Sequence, residues 1–423
     1  MINKKDIETK CVQEGYSPKN GEARVLPIYQ NTTYKYETPE QLADVFNLKD
    51  PGFMYSRLGN PTCSALEAKV AALEDSVAAL SFSAGMAAEA MTVFNVCKAG
   101  DNIISLSTIY GGSYNLFNIT LRKLGIDTRF VSPDAKGEDI EKLIDDKTKI
   151  IYAETIANPA MIVADFEKLS KIAKKYNILL VIDNTLATPC LVNPKNFGAN
   201  IIIHSSTKYL DGHACSVGGL VVECGNFDYD AKRYPEFNEP DKSYHGIVYK
   251  DCPTPFSLKL RAQMLRDFGC CMSPMNAFLT NMGAETLHLR MARHSENAQK
   301  VAEFLKSSNK VEWVKYPGLK DDSQHKIASK YFKGGYSGMV VFGIKGGREA
   351  ANKFMKSLQL FTIVTHIADV RSCCLHPATT THRQLSDSDL KACGVSDNLI
   401  RLSVGIENAE DIIADLKNAL SNS

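Results

Sequence analysis

Asp183 and Lys208 are the first residues to suggest chemistry, because each stands just past a short, almost wholly apolar run. Asp183 closes ILLVID (178–183), and Lys208 follows NIIIHS (200–205) by way of Ser206 and Thr207. In an open parallel α/β sheet, ligands bind beyond the carboxyl ends of the strands, so both side chains are expected at the same end of one sheet. Taken singly, such an acid reads as a helix N-cap or a metal ligand, and such a lysine as a solvated charge. A third feature shifts the balance. VAALSFS (77–83) passes through Ser83, Ala84, Gly85 and Met86 straight into a helical pattern, and a helix start offers free N–H groups and a positive dipole end to an anion such as phosphate. Small residues there also simply permit a tight turn, and the segment is neither a Walker A loop nor a GxGxxG fingerprint. A lysine able to form a Schiff base, an acid able to keep an aromatic nitrogen protonated, and hydroxyls beside a helix start together fit one cofactor, pyridoxal 5′-phosphate.

The elements that must hold these residues are legible as seven apolar runs. Besides the three above they are NIISLS (102–107), TRFVS (128–132), KIIYAE (149–154), which leads into Thr155–Pro159 with Asn158, and GGLVVE (218–223). Alternating with helical patterns, they imply βαβ units and a mostly parallel sheet, and their near-continuous Val, Ile and Leu content is that of strands covered on both faces. The segment DFEKLSKIAKKYN places Phe166, Leu169, Ile172 and Ala173 on one helical face, with Asp165 as its N-cap. The predicted class is α/β: a mostly parallel seven-stranded sheet with helices on both faces, a smaller C-terminal α+β domain and an N-terminal arm. Residues 1–60 hold no long periodic segment except QLADVFNL and read as an arm, 61–273 as the cofactor-binding domain, and 274–423 as the second domain, beginning with one long helical stretch.

Composition excludes several alternatives. The 423 residues carry 49 Lys+Arg against 48 Asp+Glu and are 44% hydrophobic, ordinary values for a globular protein. The charges are interleaved, without the basic patch that phosphate neutralisation needs, so no nucleic-acid partner is expected. No run approaches 18 apolar residues, so no membrane span is expected. The first ten residues contain no signal-like apolar core, and the twelve cysteines are scattered without a CxxC. Free thiols in the cytoplasm are therefore expected. His376 and His382 are near in sequence, but no metal site is expected.

Seven motifs, in order, carry a resemblance that covers nearly the whole chain: YSRLGNPT (55–62), SAGM (83–86), YGGSY (110–114), DNT (183–185), HSSTKYLDGH (204–213), HPATTTHRQL (376–385) and RLSVG (401–405). The sequence resembles the Cys/Met-metabolism family of fold-type I pyridoxal phosphate enzymes, and within it looks most like the O-acetylhomoserine sulfhydrylases. The resemblance implies that Lys208 is the Schiff-base lysine and Asp183 the partner of the pyridine nitrogen. It also implies that Tyr110 stacks on the ring and that Asn158 lies by its 3′-oxygen. Ser83, the amides of Gly85 and Met86, Ser205 and Thr207 would hold the phosphate. Tyr55 and Arg57 would reach the phosphate of a neighbouring subunit, Tyr55 also touching substrate, which implies a homo-oligomer, a tetramer built from dimers that share active sites. Arg401 would grip the substrate carboxylate with its planar fork.

The implied reaction is γ-replacement on an amino-acid substrate by sulfide or a thiol. The lysine amine serves as base and Tyr110 as proton carrier at the γ-position. A methionine or cystathionine γ-lyase is the enzymatic alternative, and a catalytically silent regulator the remote one. Gly112, the second residue after Tyr110, speaks for the sulfhydrylase branch, since the methionine γ-lyases carry a cysteine there. The chain departs from the family pattern in three places. Ile156 replaces a proline, Leu186 stands where an aromatic commonly follows DNT, and His366-Ile367-Ala368-Asp369 stands in place of Asn-Val-Gly-Asp beside the substrate pocket.

Overall fold

The seven apolar runs all fold as strands of one sheet in the computed structural model, which describes residues 5–380 and 396–423. They are β1 (Ala78–Phe82), β2 (Asn102–Leu106), β3 (Asp127–Val131), β4 (Thr148–Glu154), β5 (Leu179–Asp183), β6 (Ile201–His204) and β7 (Gly219–Glu223). The strand order is β1-β7-β6-β5-β4-β2-β3. Only β7 runs against its neighbours, pairing antiparallel with both β1 and β6. The other strands therefore deliver their carboxyl ends to one edge, which is where a site must form.

The alternation of side chains along a strand divides the apolar residues between two cores. Ile104, Ile151, Leu180, Ile182 and Ile202 pack into one cluster, and Ile103, Ile150, Leu179, Val181, Ile201 and Ile203 into the other. Burying each such side chain is worth about 1.5–3 kcal/mol, and with both faces covered the central strands have no polar face to show. The helix Phe166–Tyr176 forms as its spacing predicts. Its four apolar residues are buried, Asp165 accepts from the Lys168 N–H at 3.1 Å, and Asn177 ends it in the left-handed region.

A second sheet follows, built from β8 (Val311–Lys315), β9 (Met339–Ile344), β10 (Thr362–Ile363), β11 (Cys373–Leu375) and β12 (Leu399–Ser403), in the order β10-β11-β12-β9-β8. Along β12, Ile400 and Leu402 enter this sheet's own core. Leu399 joins the first cluster together with Met339, Val341, Ile367 and Ala368. Arg401, in phase with Leu399, is thereby turned toward the large sheet. The apparent single helix from 274 is two, Pro274–Glu285 and Leu287–Ser307, divided at Thr286. Buried Ala284, Leu287 and Met291 continue one apolar spacing through the break, which is why the sequence does not reveal it. Near the start, a helix not anticipated, Ile7–Gln13, buries Cys11 against the body of the protein. With one fully buried residue in seven it carries no periodic signal. QLADVFNL lies largely in the helix Pro39–Phe46, capped reciprocally by Thr38 and Gln41. Among the described residues no helix is long and apolar enough to cross a membrane, and no cluster of His, Cys, Asp or Glu could hold a metal ion. His382 and the end of the HPATTTHRQL motif lie outside the described residues.

Candidate active site

At the carboxyl edge of the large sheet lies a cavity of about 220 Å3, walled by Gly85, Met86, Tyr110, Asn158, Asp183, Ser205, Thr207, Lys208 and Arg401 among others. Nine residues singled out from the sequence, spread over more than 300 positions, thus face one space. A larger open depression of about 580 Å3, bordered by Asn177, Ile178, Gly198 and Asn226, lies at the opposite, amino end of the strands and gathers no such set.

Strand register brings the acids together. Glu154 ends β4 and Asp183 ends β5, and the two are paired neighbours. Asp183 accepts from the Thr185 N–H at 2.8 Å, and the Thr185 hydroxyl accepts from the Ser205 N–H at 2.8 Å, tying the end of β5 to the segment bearing Lys208. Glu154 accepts from the Tyr110 N–H at 2.5 Å, fixing the loop that carries the ring. Glu89, from the helix Gly85–Val96, completes a trio of carboxyl groups, holding the Ser113 hydroxyl at 2.9 Å. Burial raises Asp183 above the usual carboxylate range. Burial and then the charge of Asp183 raise Glu154 well above it and Glu89 to about 8. Adjacent carboxyl groups with little water around them disfavour one another's ionisation, and all three are accordingly shifted upward.

The helix Gly85–Val96 begins beside Ser205 with no side-chain cap on its free N–H groups. The approach is as close as a glycine permits: a Cβ on Gly85 would stand 2.7 Å from the Ser205 Cβ. Thr207 is anchored to Gly218, its hydroxyl donating to the carbonyl at 3.1 Å and accepting from the N–H at 3.0 Å. Lys208, mostly buried, is held below the ordinary lysine range by desolvation and by the nearby Arg401 cation. Arg401 is 8% exposed; it donates from Nη1 to Asn158 Oδ1 at 3.3 Å, while Nη2 is buried without a partner. The ring of Tyr110 is half exposed at the mouth.

Three predicted residues are not brought to this cavity. Ser83 is exposed just outside it, its N–H bonded to the Cys270 carbonyl at 2.8 Å. Arg57 bonds the Arg266 carbonyl and sits 5.4 Å from the Tyr55 ring centroid, so both lie apart from the pocket of their own chain. The structure adds Glu89 and Glu154, which sequence reading did not single out. Each had a signal, Glu154 as the acid closing an apolar strand and Glu89 as a charge within a helix of otherwise small and apolar residues. It also brings His366, named above only as a departure from the family pattern, to the lysine, with Nδ1 3.4 Å from Lys208 Nζ. Two departures find physical roles. Leu186 is buried in the cavity wall. Ala368 holds the left-handed backbone (φ 65°) where the resemblance expects glycine, a conformation that costs about 1 kcal/mol for a residue with a Cβ.

The residues suit a phosphate-bearing aromatic aldehyde. An uncapped helix start, a glycine that clears space beside Ser205, a half-buried acid and a half-buried amine converge, and Arg401 Nη2 awaits an acceptor. Fold and site together are those of an α/β enzyme with a cofactor-sized cavity at the carboxyl edge of its sheet. The chain matches the model of the Cys/Met metabolism PLP-dependent enzyme family over residues 8–421 and belongs to that family; its cofactor is pyridoxal 5′-phosphate. It is 44% identical to the O-acetyl-L-homoserine sulfhydrylase of Leptospira meyeri, over 98% of this chain and 96% of that one. With the homocysteine synthase of Schizosaccharomyces pombe it shares 41% over 99% of each. The crystal structure of a putative O-acetylhomoserine (thiol)-lyase from Campylobacter jejuni, which carries a pyridoxyl-lysine monophosphate, superposes with a TM-score of 0.95 at 39% identity, covering 98% of this chain and 100% of the other.

Proposed function

We propose that the enzyme replaces the γ-substituent of an activated homoserine: O-acetyl-L-homoserine and sulfide, or methanethiol, give L-homocysteine, or L-methionine, and acetate. The observation that carries this reading is the convergence of Lys208, Asp183 and the half-paired Arg401 on one cavity, in a chain whose relatives bear the corresponding names.

Pyridoxal 5′-phosphate, bound through Lys208, supplies an electron sink for the charge left when a proton leaves the carbon beside the substrate amine. Gly85 and Met86 at the helix start, with Ser205 and Thr207, would hold its phosphate, Ser83 adding a hydroxyl from the rim. Asp183 would favour the protonated ring nitrogen, and a cation there would favour the aspartate charge that burial alone disfavours. Asn158 would lie by the ring oxygen, and Tyr110 would cover the ring. Arg401 takes the substrate carboxylate on Nη2, and this sets the Cα–H against Lys208. Displaced by the substrate amine, Lys208 is a base already weakened in proton affinity by burial and Arg401. It would take the proton from Cα and return it to the cofactor-bound substrate, which frees the amine to take a second proton from Cβ, and acetate would then leave from Cγ with its electron pair. Sulfide adds at Cγ, forming the new C–S bond, and the protons return to Cβ and Cα. Tyr110, half exposed at the mouth, would carry the proton at the γ-position.

Tyr55 and Arg57, remote from their own pocket, serve that of a neighbouring subunit, in a tetramer built from two dimers and working in the cytoplasm. Residues 1–60 form the arm, 61–273 the cofactor domain and 274–423 the second domain. Incubation of purified enzyme with O-acetyl-L-homoserine and sulfide tests the reading: homocysteine and acetate form in equal amounts, and neither forms with Lys208→Ala. Acetate without homocysteine would mean hydrolysis and refute it.

A further inference from the structure

His366 is the departure from the family pattern that lies closest to the chemistry. It sits in the loop between β10 and β11, with Nδ1 3.4 Å from Lys208 Nζ. The ring is half-buried, and Nε2 is buried without a protein partner. Its backbone is fixed in place: the Cys373 thiol of β11 donates to the His366 carbonyl at 3.4 Å, and two residues on, the Ala368 N–H donates to Ser403 Oγ of β12 at 2.7 Å. We propose that His366 is a positioning residue for Lys208, its Nδ1 accepting the hydrogen bond that aims the amine into the cavity, and that protonation of the ring breaks this contact and withdraws the base.

The charged groups around the ring decide when that happens. Lys208 and Asp211 face it from the segment after β6, Asp369 and Arg371 from its own loop, and Cys373 from β11. Arg401 of β12 stands behind Lys208. Burial first, then the Lys208 cation, hold the imidazole below its ordinary range, with Asp369 and Asp211 opposing and Arg371 adding to the effect. At neutral pH the ring is therefore uncharged, and an uncharged ring that accepts at Nδ1 carries its proton on Nε2. As pH falls, the imidazolium has no lone pair for Lys208 and adds a cation beside Lys208 and Arg401. An asparagine, expected here from the resemblance, can accept a hydrogen bond through its amide oxygen but does not titrate. The histidine thus makes base positioning sensitive to acid. The inference rests on the reading of Lys208 as proton carrier, but not on the identity of the leaving group.

The test has two arms. With full-length protein labelled with 15N-histidine and freed of cofactor, the His366 signals are assigned by their loss in His366→Asn. At pH 7.5 they should show the Nε2–H tautomer, with a titration midpoint below about 6.5 that moves upward in Lys208→Met. An Nδ1–H tautomer, or an unmoved midpoint, overturns the contact whatever the enzyme turns over. In the holoenzyme, His366→Leu should lower kcat about two- to tenfold, the weight of one hydrogen bond between neutral groups, with KM for the amino acid changed less than twofold. His366→Asn should recover most of that loss above pH 8 and fall less steeply than the parent as pH drops below 6.5. Identical acid limbs in parent and His366→Asn overturn the switch. Failure to form homocysteine with the tautomer and coupling intact refutes the proposed reaction, and leaves this contact standing.

Discussion

Arg401→Lys should cost the enzyme its hold on the substrate carboxylate while sparing its hold on the cofactor. The guanidinium is buried, with Nη1 on Asn158 at 3.3 Å and Nη2 unpaired. A buried donor without a partner is disfavoured by about 1–3 kcal/mol, and a carboxylate arriving on Nη2 relieves this as it forms a charge-assisted bond. Lysine keeps the charge but presents a point donor in place of a fork, forfeiting one bond to a charged group while retaining general attraction. The expected loss is about 2–3 kcal/mol, or roughly 30- to 150-fold in kcat/KM. The assay measures kcat/KM for O-acetyl-L-homoserine, and then for the same ester built on an amine lacking the carboxylate, at matched cofactor absorbance. The variant should fall behind the parent on the first substrate only. Equal losses on both, or a loss under about fivefold on the first, would refute the assignment.

Gly112→Cys should displace Tyr110, because a Cβ at 112 would stand 2.4 Å from the Tyr110 Cε1. Loss of a ring contact worth about 0.5–1.5 kcal/mol should weaken cofactor binding two- to tenfold in equilibrium dialysis. Glu89→Gln should flatten the fall in cofactor-free stability between pH 5 and 8. The unfolded Glu89 ionises near 4.5 and the folded one near 8; in that window the folded state holds the extra proton and loses up to about 1.4 kcal/mol per pH unit as pH rises. Denaturant midpoints across that range, unchanged in slope between parent and variant, would contradict it. Mixing Arg57→Ala with Lys208→Ala chains should restore part of the activity through hybrid sites carrying Lys208 from one chain and Arg57 from the other. No recovery after verified subunit exchange would place Arg57 elsewhere.

The large sheet was legible because its strands are covered on both faces: Ile150 to Ala153 and Leu179 to Ile182 show no polar residue that could blur them. The carboxyl-end rule then put Asp183 and Lys208 together without any contact being known. Arg401 was beyond that reasoning. It lies in a different sheet, and only the alternation that buries Ile400 and Leu402 on one side and turns 401 to the other aims it at the cavity. The fold had to be in hand before that could be seen, and the resemblance supplied Arg401 in its place. Glu89 escaped notice because a single charge in a helix of small and apolar residues reads as a surface position until the helix proves buried. The Ile7–Gln13 helix and the break at Thr286 were missed for opposite reasons, one too short to show a period and the other hidden inside a period that continues through it.

The central claim is that acetate, not a thiolate, is the group this site expels. Carboxylic acids ionise near 4 and thiols near 8.5, so acetate leaves unaided where a thiolate needs a strong proton donor at Cγ. Gly112 offers none beside Tyr110. The direct measurement is kcat/KM for O-acetyl-L-homoserine with saturating sulfide against kcat/KM for elimination from L-methionine, on one preparation at one pH. The account predicts efficient turnover of the ester, with methionine cleavage slow at best. A value for methionine equal to or above that for the ester would contradict it.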